Sequence, residues 1–238
     1  MRQVPSPAAR PFGLIGDGRV ARHLGHYFEL LNLPVRRWAR RSDCDPVEGM
    51  AACGTVMVLI SDAAIEPFIA AWPALAAHRL VHCAGSLVTP SAECAHPLMT
   101  FGPDLYDLPV YRQIPFVLDA GRTPFADLLP GLPNRSFTID AAHRPSYHAH
   151  CVMAGNFTTL LWRKLFDLLE HRLGIPAEAA HPFLVRTVQN LMADPGGALT
   201  GPLARGDAAT IAANVAALDG DPFADIYSAF ARAYARSR

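Results

Sequence analysis

The sequence predicts an α/β chain in two regions. A doubly wound parallel sheet is expected over residues 1–142, and an all-α region over residues 143–238. Three observations carry this. Short apolar runs alternate with helical patterns through the first region, as in a sheet with helices on both faces. Those runs are continuous rather than alternating, as parallel strands buried on both faces are. From about Arg144 the β-branched runs stop and long helical patterns begin.

Residues 1–11 read as a short lead. Phe12-Gly-Leu14-Ile15 is the first strand, and a helical pattern follows through Val20, Ala21 and Leu24. Leu33 to Trp38 reads as the second strand and Thr55 to Ile60 as the third. An Ala-rich helix is expected from about Ala64 to Ala76, then a fourth strand from Leu80 to Cys83. Pro115–Leu118 and Ser136–Ile139 look like two later strands completing the sheet.

The helical region should open with a long helix from Pro145 to Leu173, with Pro145 in its first turn and Gly174 past its end. A second starts near Pro176, where Pro182 should kink it or delay its start. Asp194-Pro-Gly-Gly ends it, the loop from Leu199 to Asp207 leads to a third helix through Leu218, and Asp221-Pro222 starts the last.

At 238 residues the chain can bury a large core. Its 51% hydrophobic content argues for a folded globular protein over a disordered one. Formal net charge is zero, without a long basic run, which argues against nucleic acid or an anionic membrane as partner. The first residues hold no apolar signal segment, and no apolar run is long enough to span a bilayer. The five cysteines are odd in number and show no C-x-x-C, so neither a disulfide framework nor a zinc site is indicated. A reducing cytoplasm is the expected compartment.

Between the first strand and first helix stands Gly16-Asp17-Gly18-Arg19-Val20-Ala21, a G-x-G-x-x-A turn. Gly16 permits a sharp turn, Gly18 lets the backbone approach a pyrophosphate, and Ala21 lets helix and strand pack closely. The helix N-terminus then offers free N–H groups to phosphate. A tight strand-to-helix turn without a ligand has the same spacing. Asp17 is the awkward residue, because a carboxylate repels phosphate. Its expected roles are capping the helix or pairing with Arg19.

At the end of the second strand a carboxylate would select NAD. Arg40-Arg41-Ser42 stands there instead, and suits the 2′-phosphate of NADP(H). A solvated basic turn is the alternative. In such sheets ligands bind beyond the carboxyl ends of the strands. That adds Ile60, Ser61 and Asp62 at the end of the third strand, and Ala84, Gly85 and Ser86 after the fourth.

The stretches GLIGDGRVARHL, Trp38-Ala39-Arg40, VLISDAAI, VHCAGS, HPLMTF, YHAHCVMAGNF and ALTGPLARGDAAT together resemble one family. It is the Rossmann-like proteins with a C-terminal DUF2520 domain, within the 6-phosphogluconate dehydrogenase-like reductases, which include ketopantoate reductase and pyrroline-5-carboxylate reductase. The resemblance covers nearly the whole chain. It implies an NADP-binding fold, a reductase and a helical domain that often dimerises, without naming a substrate. One departure matters. Ketopantoate reductase and hydroxyisobutyrate dehydrogenase carry K-x-x-x-N on the first helix of the second domain. The Asn matches Asn156, but the Lys falls at Val152, which cannot transfer a proton.

Hydride transfer to C=O or C=N needs a donor where charge develops. His96, after the fourth strand, and His148, one turn before Val152, are the candidate donors, each against a packing role. Asn156 is the candidate for holding substrate or ribose, against a helix–helix hydrogen bond. On an ideal helix His148 and Asn156 stand about 12 Å apart, too far to touch one carbonyl. Thr200, Arg205 and Asp207 are candidates for the substrate-facing rim, with helix capping the alternative for Asp207.

The expected activity is reduction of a small keto or imine substrate by a homodimer. A non-catalytic NADP(H)-binding sensor is the runner-up, and a reduced deazaflavin as hydride source is a third reading.

Overall fold

The structure is a computed structural model that describes residues 10–237, so most of the lead read at residues 1–11 lies outside the described residues. Seven strands form one sheet in the order β2-β1-β3-β4-β5-β6-β7. They are β1 (Phe12–Ile15), β2 (Val35–Trp38), β3 (Thr55–Val58), β4 (Arg79–His82), β5 (Glu93–Pro97), β6 (Phe116–Asp119) and β7 (Ser136–Ile139). Every pair is parallel except β5 with β6. The chain is thus a Rossmann-type α/β fold followed by helices.

The continuous apolar runs form strands because both faces of the sheet are covered. Leu14 packs into one core with Leu24, Phe28 and Met57. Its neighbour Ile15 packs into the other, with Val56, Val58 and Ile65. Helix α1 (Arg19–Leu30) follows from the spacing of Ala21, Leu24, Tyr27 and Phe28, all buried on one face.

The remaining helices of the sheet region are α2 (Pro46–Met50), α3 (Asp62–Ala71), α4 (Leu108–Gln113) and α5 (Phe125–Leu128). Helix α3 stops before Ala76 because Pro73 cannot continue it, and a 3₁₀ turn, Pro73–Ala77, takes over.

The expected helix at 145–173 is interrupted. Helix α6 (Arg144–Val152) leads into a π-helical turn, Met153–Phe157, and then α7 (Thr158–Arg172). Gly174 follows at φ +65°. Pro182 lies in the first turn of α8 (His181–Ala193), which therefore starts later than Pro176. Helices α9 (Gly201–Arg205), α10 (Ala208–Ala217) and α11 (Phe223–Arg236) complete the chain. Asp207 caps α10, accepting from the Thr210 amide at 3.0 Å.

Two compact units divide at Leu160/Leu161, beyond the change of texture at 142/143. The reason lies in α6. Arg144 is fully buried and ion-paired with Asp119, and it donates to the Val117 carbonyl at 3.1 Å, which ties the helix to β6. Within the second unit, Trp162 packs on Phe183, and Lys164 pairs with Asp221 at 2.5 Å. Among the described residues, no helix is long and apolar enough to cross a membrane.

Candidate functional site

The glycine turn has the geometry that its spacing requires. Gly16 adopts φ +122°, and a Cβ there would lie 2.3 Å from the Leu59 carbonyl oxygen. No L side chain fits. Gly18 is the N-cap of α1 and differs in kind. A Cβ there would meet nothing within 4 Å, so packing within the chain does not demand glycine. What its missing side chain leaves open is the cleft that Gly18 lines. No side chain caps α1, so its first amides are free for an anion.

That cleft has a volume of about 800 Å³. It lies over the carboxyl ends of β1 and β3, on either side of the point where the strand order reverses. This is where open α/β sheets take their ligands. Gly16, Asp17, Gly18, Arg19 and Val20 line it from the turn. Arg40 and Arg41 line it from beyond β2, Ile60, Ser61 and Asp62 from beyond β3, and Ala84 from beyond β4.

Three expected residues lie outside the lining: Ser42, Gly85 and Ser86. The Ser42 hydroxyl accepts from the Ala39 amide at 3.0 Å, closing the turn that carries the two arginines. Gly85 instead leaves room for the His148 imidazole. Asp17 neither caps α1 nor pairs with Arg19. Its carboxylate meets Arg41 at 3.1 Å. The free amides, the open Gly18 and the two arginines fit the phosphates of a dinucleotide.

A second cluster lies beyond β4. His96 follows the fourth strand, as expected, and lies within β5, a strand the sequence reading missed. Its Nδ1 lies 2.9 Å from the Tyr147 hydroxyl on α6. The His148 ring meets the His96 ring edge-on, with centroids 5.6 Å apart. A Cβ on Gly85 would fall 2.1 Å from His148 Nδ1, so only glycine leaves room for that imidazole. Both candidate histidines are therefore brought together.

Burial, with His148 and the Arg144 cation beside it, pushes His96 down to about 4. Burial and Arg144 likewise bring the fully buried His82 down to about 4. Both imidazoles are neutral at neutral pH. Burial and contact with the Cys151 thiol push the Tyr147 phenol up, so it keeps its proton. His148 Nδ1 and His82 Nδ1 are buried without a hydrogen-bond partner among the described residues.

Asn156 is exposed and sits in the π-helical turn, where the i→i+4 spacing from His148 and Val152 is broken. Tyr147 is the residue that sequence reasoning missed. Its available signal was the i,i+4 spacing to Cys151, beside His148.

Fold and sheet order define a Rossmann-type chain with a cleft where the strand order reverses. Residues 118–234 match the family described as "Domain of unknown function (DUF2520)". No curated protein matches it. Solved structures share the fold. A Bacteroides fragilis protein provisionally named an NADP oxidoreductase is 22% identical, with TM-score 0.76 over 95% of this chain and 98% of that one. A reductive aminase from Aspergillus terreus, in complex with NADPH and ethyl levulinate, is 17% identical, with TM-score 0.59 over 94% and 87%. Plasmodium falciparum pyrroline carboxylate reductase with NADP bound is 12% identical, with TM-score 0.57 over 95% and 97%.

Proposed function

We propose that the chain is an NADP-dependent oxidoreductase moving a hydride to or from a small keto or imine compound. The observation that carries this is the cleft at the β1/β3 reversal, with an uncapped helix N-terminus, an open Gly18 and Arg40 with Arg41 at its rim. The NADP(H)-bound structures of the same fold support it.

Gly16 to Val20 would hold the pyrophosphate, and Arg40 and Arg41 the 2′-phosphate. The bound nicotinamide would supply or accept the hydride. The chain's own contribution is the proton. With the proton on Nδ1, His96 donates to the Tyr147 oxygen and leaves the phenolic hydrogen for the substrate oxygen or nitrogen. In the other tautomer Tyr147 donates to His96, and Nε2–H becomes the outward donor. His148 is the second candidate donor. Asn156 is assigned to holding substrate or ribose.

Calorimetric titration tests the cofactor reading. Charge-assisted bonds to phosphate are worth about 1.5–3 kcal/mol, so NADPH should bind about tenfold or more tighter than NADH. Equal affinities, or no binding, would remove the reading.

Val152, where relatives carry lysine, favours one alternative, an NADP(H)-binding sensor without catalysis. Loss of NADPH absorbance with ketones and cyclic imines, ethyl levulinate among them, separates the two.

The working form we propose is a homodimer in the cytoplasm. Its support is the exposed apolar surface of α8, where Phe183, Val185, Val188, Leu191 and Met192 all face solvent.

A further inference from the structure

Asp17 is the one residue of the phosphate-binding turn whose chemistry opposes the ligand. It stands between the two glycines, where an anion would meet the free amides of α1. Its carboxylate is not spent on capping the helix, since Gly18 is the N-cap and no side chain caps it. Instead Asp17 reaches across the cleft rim to Arg41 Nη1, at 3.1 Å. Both residues line the cleft and both are largely exposed, at 57% for Asp17 and 82% for Arg41.

The pair joins two elements with opposite demands. Arg41 comes from the end of β2, the position that distinguishes a 2′-phosphate from a 2′-hydroxyl. Asp17 comes from the turn after β1. An arginine guanidinium binds phosphate best through two parallel N–H groups along one edge. Asp17 engages Nη1, so the edge that Nη1 shares with Nη2 is contested. Arg40, beside it on the same rim, has no ion pair with Asp17.

We propose that Asp17 is a specificity-determining residue that weakens discrimination for the 2′-phosphate by competing with it for Arg41. The inference rests on the NADP(H) reading of this cleft. A ligand with a 2′-phosphate must draw Arg41 away from Asp17. A ligand with a 2′-hydroxyl leaves the pair intact. The wild-type preference for NADPH over NADH is therefore smaller than two arginines alone would give.

Because the pair is exposed, its effect is modest. Exposed ion pairs contribute about 0.2–1 kcal/mol, which corresponds to at most about fivefold in affinity. The contribution should also shrink as salt rises.

The test is calorimetric titration of NADPH and NADH into the full chain, in the wild type, Asp17→Asn, Arg41→Ala and the double variant. Asp17→Asn is expected to raise the ratio of NADPH to NADH affinity about two- to fivefold, and less in about 0.5 M salt. In the Arg41→Ala background the same substitution should leave that ratio unchanged, because no partner remains to be released. Any general repulsion of the pyrophosphate changes both cofactors alike and drops out of the ratio. A ratio that stays level or falls in Asp17→Asn overturns the proposal; a fall would mean that Asp17 props Arg41 in place. An equal rise in both backgrounds also overturns it. If the wild type binds neither cofactor, the NADP(H) reading itself fails, and that outcome is distinct from the others.

Discussion

His96 Nδ1 lies 2.9 Å from the Tyr147 hydroxyl, which links the end of β5 to the first turn of α6. A neutral imidazole and a protonated phenol thus share one hydrogen bond in a cluster with His148 and Arg144.

If this pair delivers the proton, Tyr147→Phe should lower kcat by about 10²–10⁴-fold while NADPH affinity stays near wild type. His96→Ala should fall in the same range, and the double variant should be little worse than Tyr147→Phe alone, since the two act as a unit. Steady-state rates with an accepted ketone or imine, beside calorimetric Kd values, check this. Full activity in both single variants would shift the donor role to His148 or remove it.

The same cluster sets a pH dependence of stability. His82 and His96 are both lowered to about 4 in the folded chain, against 6.5 in the ordinary case. Between those values the unfolded chain binds protons that the folded chain refuses. Stability is therefore fully present above about pH 6.5 and is lost as pH falls toward about 4. Melting temperature followed across that window should drop, and His82→Asn should make the drop shallower. A wild-type melting temperature that stays level down to about pH 4.5 would contradict it.

The glycines of the turn separate structural need from ligand need. Gly16→Ala meets the Leu59 carbonyl at a forbidden φ, and should cost about 1–3 kcal/mol of stability. Gly18→Ala meets nothing, so stability should hold or rise slightly while NADPH binding weakens. Denaturant melts and cofactor titrations on both variants decide it. Strong destabilisation by Gly18→Ala would mean that the glycine serves packing.

The face of α8 bears on assembly. Met192 is 79% exposed and Phe183 62%. Light scattering at micromolar concentration is expected to give a dimer, and Phe183→Asp with Met192→Glu a monomer. A wild-type monomer would contradict the homodimer.

Much of the fold was legible because its signals are local. β1, β3 and β4 are apolar runs buried on both faces, and the Gly16–Gly18 turn declares itself by spacing alone. β5 was not legible. Glu93-Cys-Ala-His-Pro has no β-branched residue and no alternation, and it is held as a strand by its neighbours β4 and β6. The domain limit was blurred for a similar reason. The texture changes at Arg144, but the buried ion pair from Arg144 to Asp119 keeps α6 with the sheet. His96 and His148 were visible as candidates, while their meeting with Tyr147 depends on that docking. The partner of Asp17 was also hidden, since Arg41 is brought to it only by the parallel pairing of β1 with β2.

The cleft over β1 and β3 is assigned to NADP(H). A crystal structure of the chain soaked with NADPH tests it most directly. The pyrophosphate is expected on the amides of Gly16 to Val20, with the 2′-phosphate within hydrogen-bonding distance of Arg40 or Arg41. Cofactor density elsewhere, or a bound adenosine ribose whose 2′-phosphate touches neither arginine, would rule out this placement of NADP(H).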